Sequence, residues 1–520
     1  MPETILTFFL LVVLCHGNFD TILSLLGSLW GGTSAATLRI GSAALTLLLF
    51  ALLFVVFRFL IGRALSTVRQ LSLSEVWRSF RQGICLRTVL HLLFGVAGSA
   101  AVGTLLLMAV YLLPTAPIQQ HLSEYIPYRS SDTDPEAAYP SLSPLCTSRL
   151  DGFTDSIILL QSADDTPDTL LHKALLVYCG STSAAPSMED AVTTLYAHYH
   201  DGVALTGSWT YPRYWHGYLL LTKPLLCLFS FRQVQLLNAA VQCMLVLVVC
   251  WLLQRRALGV YIPAFLLVWL MLMPPALALC MQFTPCWLIA LVCTIVLLKM
   301  RPAHLASRGW RVFLYSGIAV AYFDFLTYPL MAFGIPAAFY VLLTRQERTE
   351  RTLGHLIQSG IAWGWGYATM WASKWVLATL FTGENVLHDA FSQAALRSSS
   401  SAAVGVMNEF SYSPIFTFFT NLGVFLFTPV TLLTLAFVLY TACKARRAGT
   451  LLLAPLQGPL LLYGVIGLLP LLWYTALRNH SLVHSWFTNK ASSVLVLCIV
   501  FSCTSILELI HQQESSVPKR

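Results

Sequence analysis

Apolar runs close to the length of a bilayer crossing recur along the whole of this 520-residue chain, the last of them ending near residue 509. About 20 apolar residues in a row are needed to cross the hydrocarbon as a helix, and inside lipid a helix satisfies its own backbone hydrogen bonds. With 57% hydrophobic and 10% charged residues, against about 25% charged in an ordinary soluble domain, no soluble core could take up this much apolar side chain. The expected fold is therefore an all-α polytopic membrane protein with about 12 transmembrane helices.

Basic residues fix the expected topology, because short cytoplasmic loops collect Lys and Arg. Arg63, Arg69, Arg78, Arg81 and Arg87 mark a first inner loop, followed by Arg255/Arg256, Lys299 through Arg311, Arg345/Arg348/Arg351, Lys444/Arg446/Arg447 and Lys519/Arg520. The crossings read as 5–30, 43–62, 88–113, 235–253, 258–275, 285–299, 311–323, 328–344, 356–381, 416–441, 452–475 and 491–509. The net charge of +8 is spread over these clusters instead of lying on one face, which speaks against nucleic acid. The expected location is the cytoplasmic membrane, multi-pass, with membrane lipids as neighbours.

Residues 1–114 read as N-terminal membrane helices, 115–216 as an extracytoplasmic loop domain, and 217–520 as C-terminal membrane helices with outer loops near 383–415 and 476–490. The loop domain holds twelve acidic and four basic residues, a net charge of −8, which leaves +16 for the rest of the chain. Short helices are expected in it at 151–160 and 188–200. Cys146 and Cys179 lie on the oxidising side under this topology and are placed to pair.

Five constellations carry chemistry, and the topology puts all of them on the outer face. Asp151-Gly-Phe-Thr-Asp155 offers two carboxylates at a helix start, suited to a general base and equally to a helix cap. Arg213-Tyr214-Trp-His216 sits in an aromatic belt, where Arg213 can grip phosphate and His216 can bind an anion or move a proton. Asp324 lies in a tight outer turn and Lys374 in a Trp-rich helix; an ionisable residue at such depth faces a polar cavity, caps a helix or snorkels. The stretch from Arg478 and Asn479 through His480 and His484 to Lys490 reads as a donor-rich pocket for an anion. The i, i+4 histidines in it are by themselves weak evidence for metal.

The layout, with the strings Asp151-Gly-Phe-Thr-Asp155, Arg213-Tyr-Trp-His216-Gly and Asn479-His480-Ser-Leu-Val-His484, resembles integral-membrane glycosyltransferases of the GT-C fold, in an uncharacterised bacterial branch. The resemblance implies transfer of a sugar from a polyprenyl-phosphate-linked donor to an extracytoplasmic cell-envelope glycan or lipid acceptor. It assigns the base to Asp155 or Asp151 and the phosphate contacts to Arg213, Lys374, Arg478, His480 or Lys490, and it leaves a divalent metal requirement open. The adjacent Asp-Glu pair of several GT-C branches is missing, Glu189-Asp190 being the nearest approach in reversed order. A transporter or flippase of a lipid-linked anion, and a non-catalytic polysaccharide-assembly factor, are the competing readings.

Overall fold

The computed structural model describes residues 66–124, 139, 141–142, 148–399, 417, 421, 429–448 and 454–516. The expected crossings 5–30 and 43–62, the first half of the crossing 416–441 apart from residues 417 and 421, the outer loop from 400 to 415, Arg63, Cys146 and Lys519/Arg520 lie outside the described residues.

Five helical stretches are long and apolar enough to cross a membrane: Leu86–Val110, Phe231–Arg255, Met281–Lys299, Ala454–Ala476 and Ser485–Ser515. Two further expected crossings form longer helices than the apolar pattern suggests, Pro302–Phe323 and Thr349–Thr382. Two others are shorter than expected. Met331–Leu343 has 13 residues and rises about 20 Å at 1.5 Å per residue, short of the roughly 30 Å of hydrocarbon. Every side chain from Met331 to Leu342 is buried, so its uniform apolarity reflects a position inside the protein and not a face toward lipid. The run expected at 258–275 breaks at Met273, whose φ of 55° ends Ile262–Met271 before Pro274–Leu279 begins.

The principal helix crossing, Pro302–Phe323 against Thr349–Thr382, is set by two glycines. A Cβ on Gly317 would lie 2.2 Å from the Trp363 carbonyl oxygen, and one on Gly366 would lie 2.5 Å from that of Leu314. The backbones touch where side chains are missing, as small residues allow between helices in lipid.

Contacts sort the helix ends into two groups. At one end Arg256 donates to the Met300 carbonyl, Arg345 pairs with Glu508 at 2.6 Å and donates to Tyr261 at 2.9 Å, and Arg348 reaches Glu75 at 3.6 Å. The clusters around Arg78, Arg256, Lys299 and Arg345/Arg348 therefore gather together. At the other end lie the loop domain, the Asp324 turn, the end of the Thr349–Thr382 helix and the 478–492 stretch, joined by the contacts described below.

The loop domain contains Gly152–Ser162 and Ala191–Tyr199 close to where they are expected. It also holds a two-stranded antiparallel ribbon, Tyr178–Ser181 with Gly207–Thr210, which the all-α expectation omits. The thiol of Cys179 is free and buried, donating to the Ile157 carbonyl at 3.9 Å; its candidate partner Cys146 lies outside the described residues.

Candidate functional site

The Gly152–Ser162 helix is buried at every residue but Phe153, so its N-terminus is held inside the domain. Asp151 caps it: one carboxylate oxygen accepts the Thr154 N–H at 2.9 Å and the other the Thr154 hydroxyl at 2.8 Å. Burial pushes the Asp151 carboxyl up to about 6, against the pull of the Thr154 bonds and of Arg149. Asp155, fully buried one turn on, points instead at a neighbouring turn. It accepts the Met281 N–H at 3.0 Å and the Cys280 thiol at 4.0 Å. Of the two carboxylates offered as the base, Asp151 bonds its own helix start and Asp155 the 280–283 turn.

That turn is the hinge of the site. Phe283 packs on Trp486 and Phe487, with ring centroids 6.0 and 6.3 Å away. The Lys490 ammonium lies 4.2 Å from the Phe283 ring centroid. Lys490 is 1% exposed, and its Nζ has no hydrogen-bond partner; the buried Asn489 Oδ1 and Ser493 Oγ also lack one. An unpaired ammonium out of water is costly, and a ring face offsets only part of that cost. On the Asp151 side, Arg149 lies over Trp486 at 5.1 Å and Tyr139 at 4.7 Å. The helix start and the 478–490 stretch thus meet across one aromatic seam.

The histidines at 480 and 484 pack together, the first buried and the second half-buried. His480 donates Nε2–H to the Leu326 carbonyl at 2.8 Å and lies 4.9 Å from His484 between ring centroids. Burial holds His480 well below the usual range and His484 at about 4, with Arg397 adding to both. His480 is thus a hydrogen-bond donor already taken up by the Leu326 carbonyl. Arg397, unremarked in the sequence because it sits in a polar segment, lies 5.9 Å over the Tyr214 ring and acts electrostatically on Tyr211, His480 and His484. Asn479 holds the Leu396 carbonyl at 3.1 Å, tying the two segments together. Arg478 is half-buried in this group, its Nε without a partner.

Two expected phosphate contacts, Arg213 and Lys374, and the expected substrate-binding residues His216 and Asp324 have structural partners within the chain. Arg213 is paired with Asp389, at 2.9 and 3.0 Å to the two carboxylate oxygens. Lys374, fully buried, donates to the Ala174 and Leu175 carbonyls at 3.0 and 2.7 Å and so closes the C-terminus of Leu170–Leu176, where a cation complements the unpaired carbonyls. His216, at φ 56°, bridges the Tyr211 carbonyl at 2.5 Å and the Tyr218 hydroxyl at 2.7 Å; burial holds it well below its ordinary pKa. Asp324 accepts both the Thr327 N–H, at 2.8 Å, and its hydroxyl, and serves as the turn's cap.

These residues are nonetheless connected. Phe325 packs on Tyr211, Tyr214, His216 and Tyr218, and the next residue, Leu326, holds His480. Tyr214 meets Trp371 at 5.0 Å. Trp371 belongs to a ladder at four-residue spacing, Trp363, Tyr367, Trp371 and Trp375, with successive centroids 5.1, 6.2 and 5.7 Å apart. Trp473 faces the ladder at 6.5 Å from Tyr367, and the buried indole N–H groups of Trp363 and Trp473 have no partner.

A second polar centre lies at the far end of the Gly152–Ser162 helix. Asp164-Asp165, an adjacent acidic pair, lines a cavity of about 220 Å³ with Tyr199, Gly180 and Gly207. Lys223 donates to the Ser162 carbonyl beside it at 2.8 Å. Among the described residues no group of three or more His, Cys, Asp and Glu side chains converges as a metal site would require.

Comparison with known protein families, with characterised proteins and with solved structures finds no match to this chain.

Proposed function

We propose that this chain is a membrane glycosyltransferase of GT-C type, moving a sugar from a polyprenyl-phosphate-linked donor to an extracytoplasmic cell-envelope glycan or lipid acceptor. One observation carries the proposal: the Asp155 carboxylate and the unpaired Lys490 ammonium hold the two ends of one turn, residues 280–283. A general base and a phosphate-binding cation are the two groups such a transfer needs.

In this reading Asp155 takes the proton of the acceptor hydroxyl as its oxygen attacks the anomeric carbon. The bond from that carbon to the donor phosphate breaks, and its electron pair stays on the phosphate oxygen. Lys490, with Arg397 beside the His480–His484 pair, stabilises the charge that develops there, an effect magnified where water is excluded. The ladder from Trp363 to Trp375 supplies apolar faces for the carrier chain and unpaired N–H groups for its polar head. The cytoplasmic membrane, with this site on the outer face, is the location that accords with the separation of basic clusters from the site.

Purified protein given polyprenyl-phosphate sugars and glycan acceptors tests the reading. Asp155→Asn should lower transfer about 10²- to 10⁴-fold, the range for loss of a general base, whereas Asp151→Asn should leave it nearly intact because Asn caps a helix as well as Asp. Undiminished transfer by Asp155→Asn would remove the carboxylate from the mechanism.

A transporter of the same lipid-linked anion has one observation in its favour, the interrupted helix at Leu272–Met273 followed by Pro274-Pro275. Broken helices line substrate sites in many transporters. Proteoliposomes that move the lipid-linked sugar between leaflets without transferring it would favour that reading.

A further inference from the structure

The basic end of the protein carries a surface that the proposed chemistry does not use. Leu73–Arg81 is a short helix capped by Ser72, and it lies against the start of Thr349–Thr382. The fit is close: a Cβ on Gly354 would be 2.7 Å from the Ser79 Cβ and 2.8 Å from the Val76 carbonyl oxygen. Only Val76 and Ser79 of this helix are buried. Beside that buried edge, Leu73 and Trp77 stand 79% and 57% exposed, and Ile84 and Leu86 continue the exposed apolar line.

Arginines border this line. Arg69, Arg78, Arg81 and Arg87 are all exposed, and the only acid in the segment, Glu75, is neutralised by Arg78 and Arg348. Arg81 lies over the Trp77 ring at 5.8 Å. The arrangement recurs at the same end of the molecule, where Arg255 lies 5.3 Å over Trp251, itself 56% exposed. A guanidinium stacked on an indole keeps its N–H fork free for phosphate oxygens, while the indole suits the boundary between headgroup and acyl chain. Five residues after Arg81 begins Leu86–Val110, a helix long and apolar enough to cross the bilayer.

We infer that Leu73–Arg81 and the Arg–Trp pairs around it form an interfacial anchor that binds the anionic phospholipid headgroups of the bilayer holding the protein. The occupant follows from charge complementarity and from continuity with the adjoining membrane helix. A neutral partner would leave Arg69, Arg81 and Arg87 without a counter-charge. A helix with an apolar edge and a basic flank lies in the interface plane, and each Arg near an anionic surface adds about fivefold to binding. The inference rests on the chain being embedded in lipid but not on sugar transfer.

Amide hydrogen exchange on the full chain in nanodiscs provides the test, with phosphatidylcholine alone compared with phosphatidylcholine plus phosphatidylglycerol. Protection over residues 70–85 should rise with phosphatidylglycerol in the wild type. In the Arg78→Gln/Arg81→Gln/Arg87→Gln variant, whose exposed substitutions leave the packed edge intact, the rise should disappear. Equal protection in both lipids, or an unchanged rise in the variant, overturns the inference. A rise that follows the number of chains per disc instead of lipid charge also overturns it, in favour of a second copy as occupant. The Leu86–Val110 helix separates the two levels: its protection in both lipids upholds membrane embedding even where the anchor fails.

Discussion

Asp155 and Lys490, 335 positions apart in the chain, meet through one short turn: the carboxylate accepts the Met281 N–H at 3.0 Å, and the ammonium sits 4.2 Å from the Phe283 ring centroid. Neither contact satisfies Lys490 as a salt bridge would. On the proposed function, the anion that completes this site is the donor phosphate.

Lys490→Met should therefore separate stability from activity. Replacing a buried, unpaired charge by an apolar chain of similar length is neutral or stabilising, so the thermal midpoint should hold or rise. Sugar transfer should fall about 10²-fold, the scale for losing one preorganised electrostatic contact. A variant that unfolds while keeping its specific activity would mark Lys490 as structural.

Lys374→Met should behave in the opposite way. Its ammonium serves the Ala174 and Leu175 carbonyls, and losing both charge-assisted bonds costs about 3 kcal/mol. Thermal unfolding should shift down, with donor affinity unchanged in the fraction that remains folded.

The Asp151 carboxyl sets a pH dependence. Its ordinary value of 3.8 is raised to about 6 by burial, so the folded state holds the proton more tightly than the unfolded chain. Stability from this group is highest below the ordinary value and falls as pH rises from about 4 through about 6. Asp151→Asn keeps the cap without the charge, so its melting curves should lack that decline, and the gap to wild type should close toward pH 4.

Gly317→Ala tests the helix crossing that holds the aromatic ladder in place. Its Cβ would meet the Trp363 carbonyl oxygen at 2.2 Å, a backbone atom with no rotamer to escape into. Overpacking of this kind costs about 1–3 kcal/mol, read as a lowered unfolding temperature and a changed near-ultraviolet dichroism from the Trp ladder.

What was legible in the sequence follows from periodicity and charge. The crossing at 88–113 is the Leu86–Val110 helix, the loop helices fall near their expected places, and the five constellations gather at the end of the molecule opposite the basic clusters. What was hidden depends on which backbone groups a fold leaves unpaired. Nothing in the string around Lys374 reveals that two carbonyls 200 residues away need a donor, and nothing near Arg213 announces Asp389. The converse holds for Lys490, whose isolation is visible only once its surroundings are known. The 280–283 turn was concealed by composition, since Cys280, Met281 and Phe283 continue an apolar run. Met331–Leu343 read as a crossing because a buried helix and a lipid-facing one are equally apolar.

The central claim is that an anionic lipid carrier binds against Lys490 while Asp155 takes no part in holding the carrier. The most direct measurement is the thermal stabilisation of the purified protein by polyprenyl phosphate, since a ligand that binds only the folded state raises its unfolding temperature. Wild type and Asp155→Asn should be stabilised alike, and Lys490→Met should lose the shift. A full shift in Lys490→Met, or none in the wild type, would contradict the account.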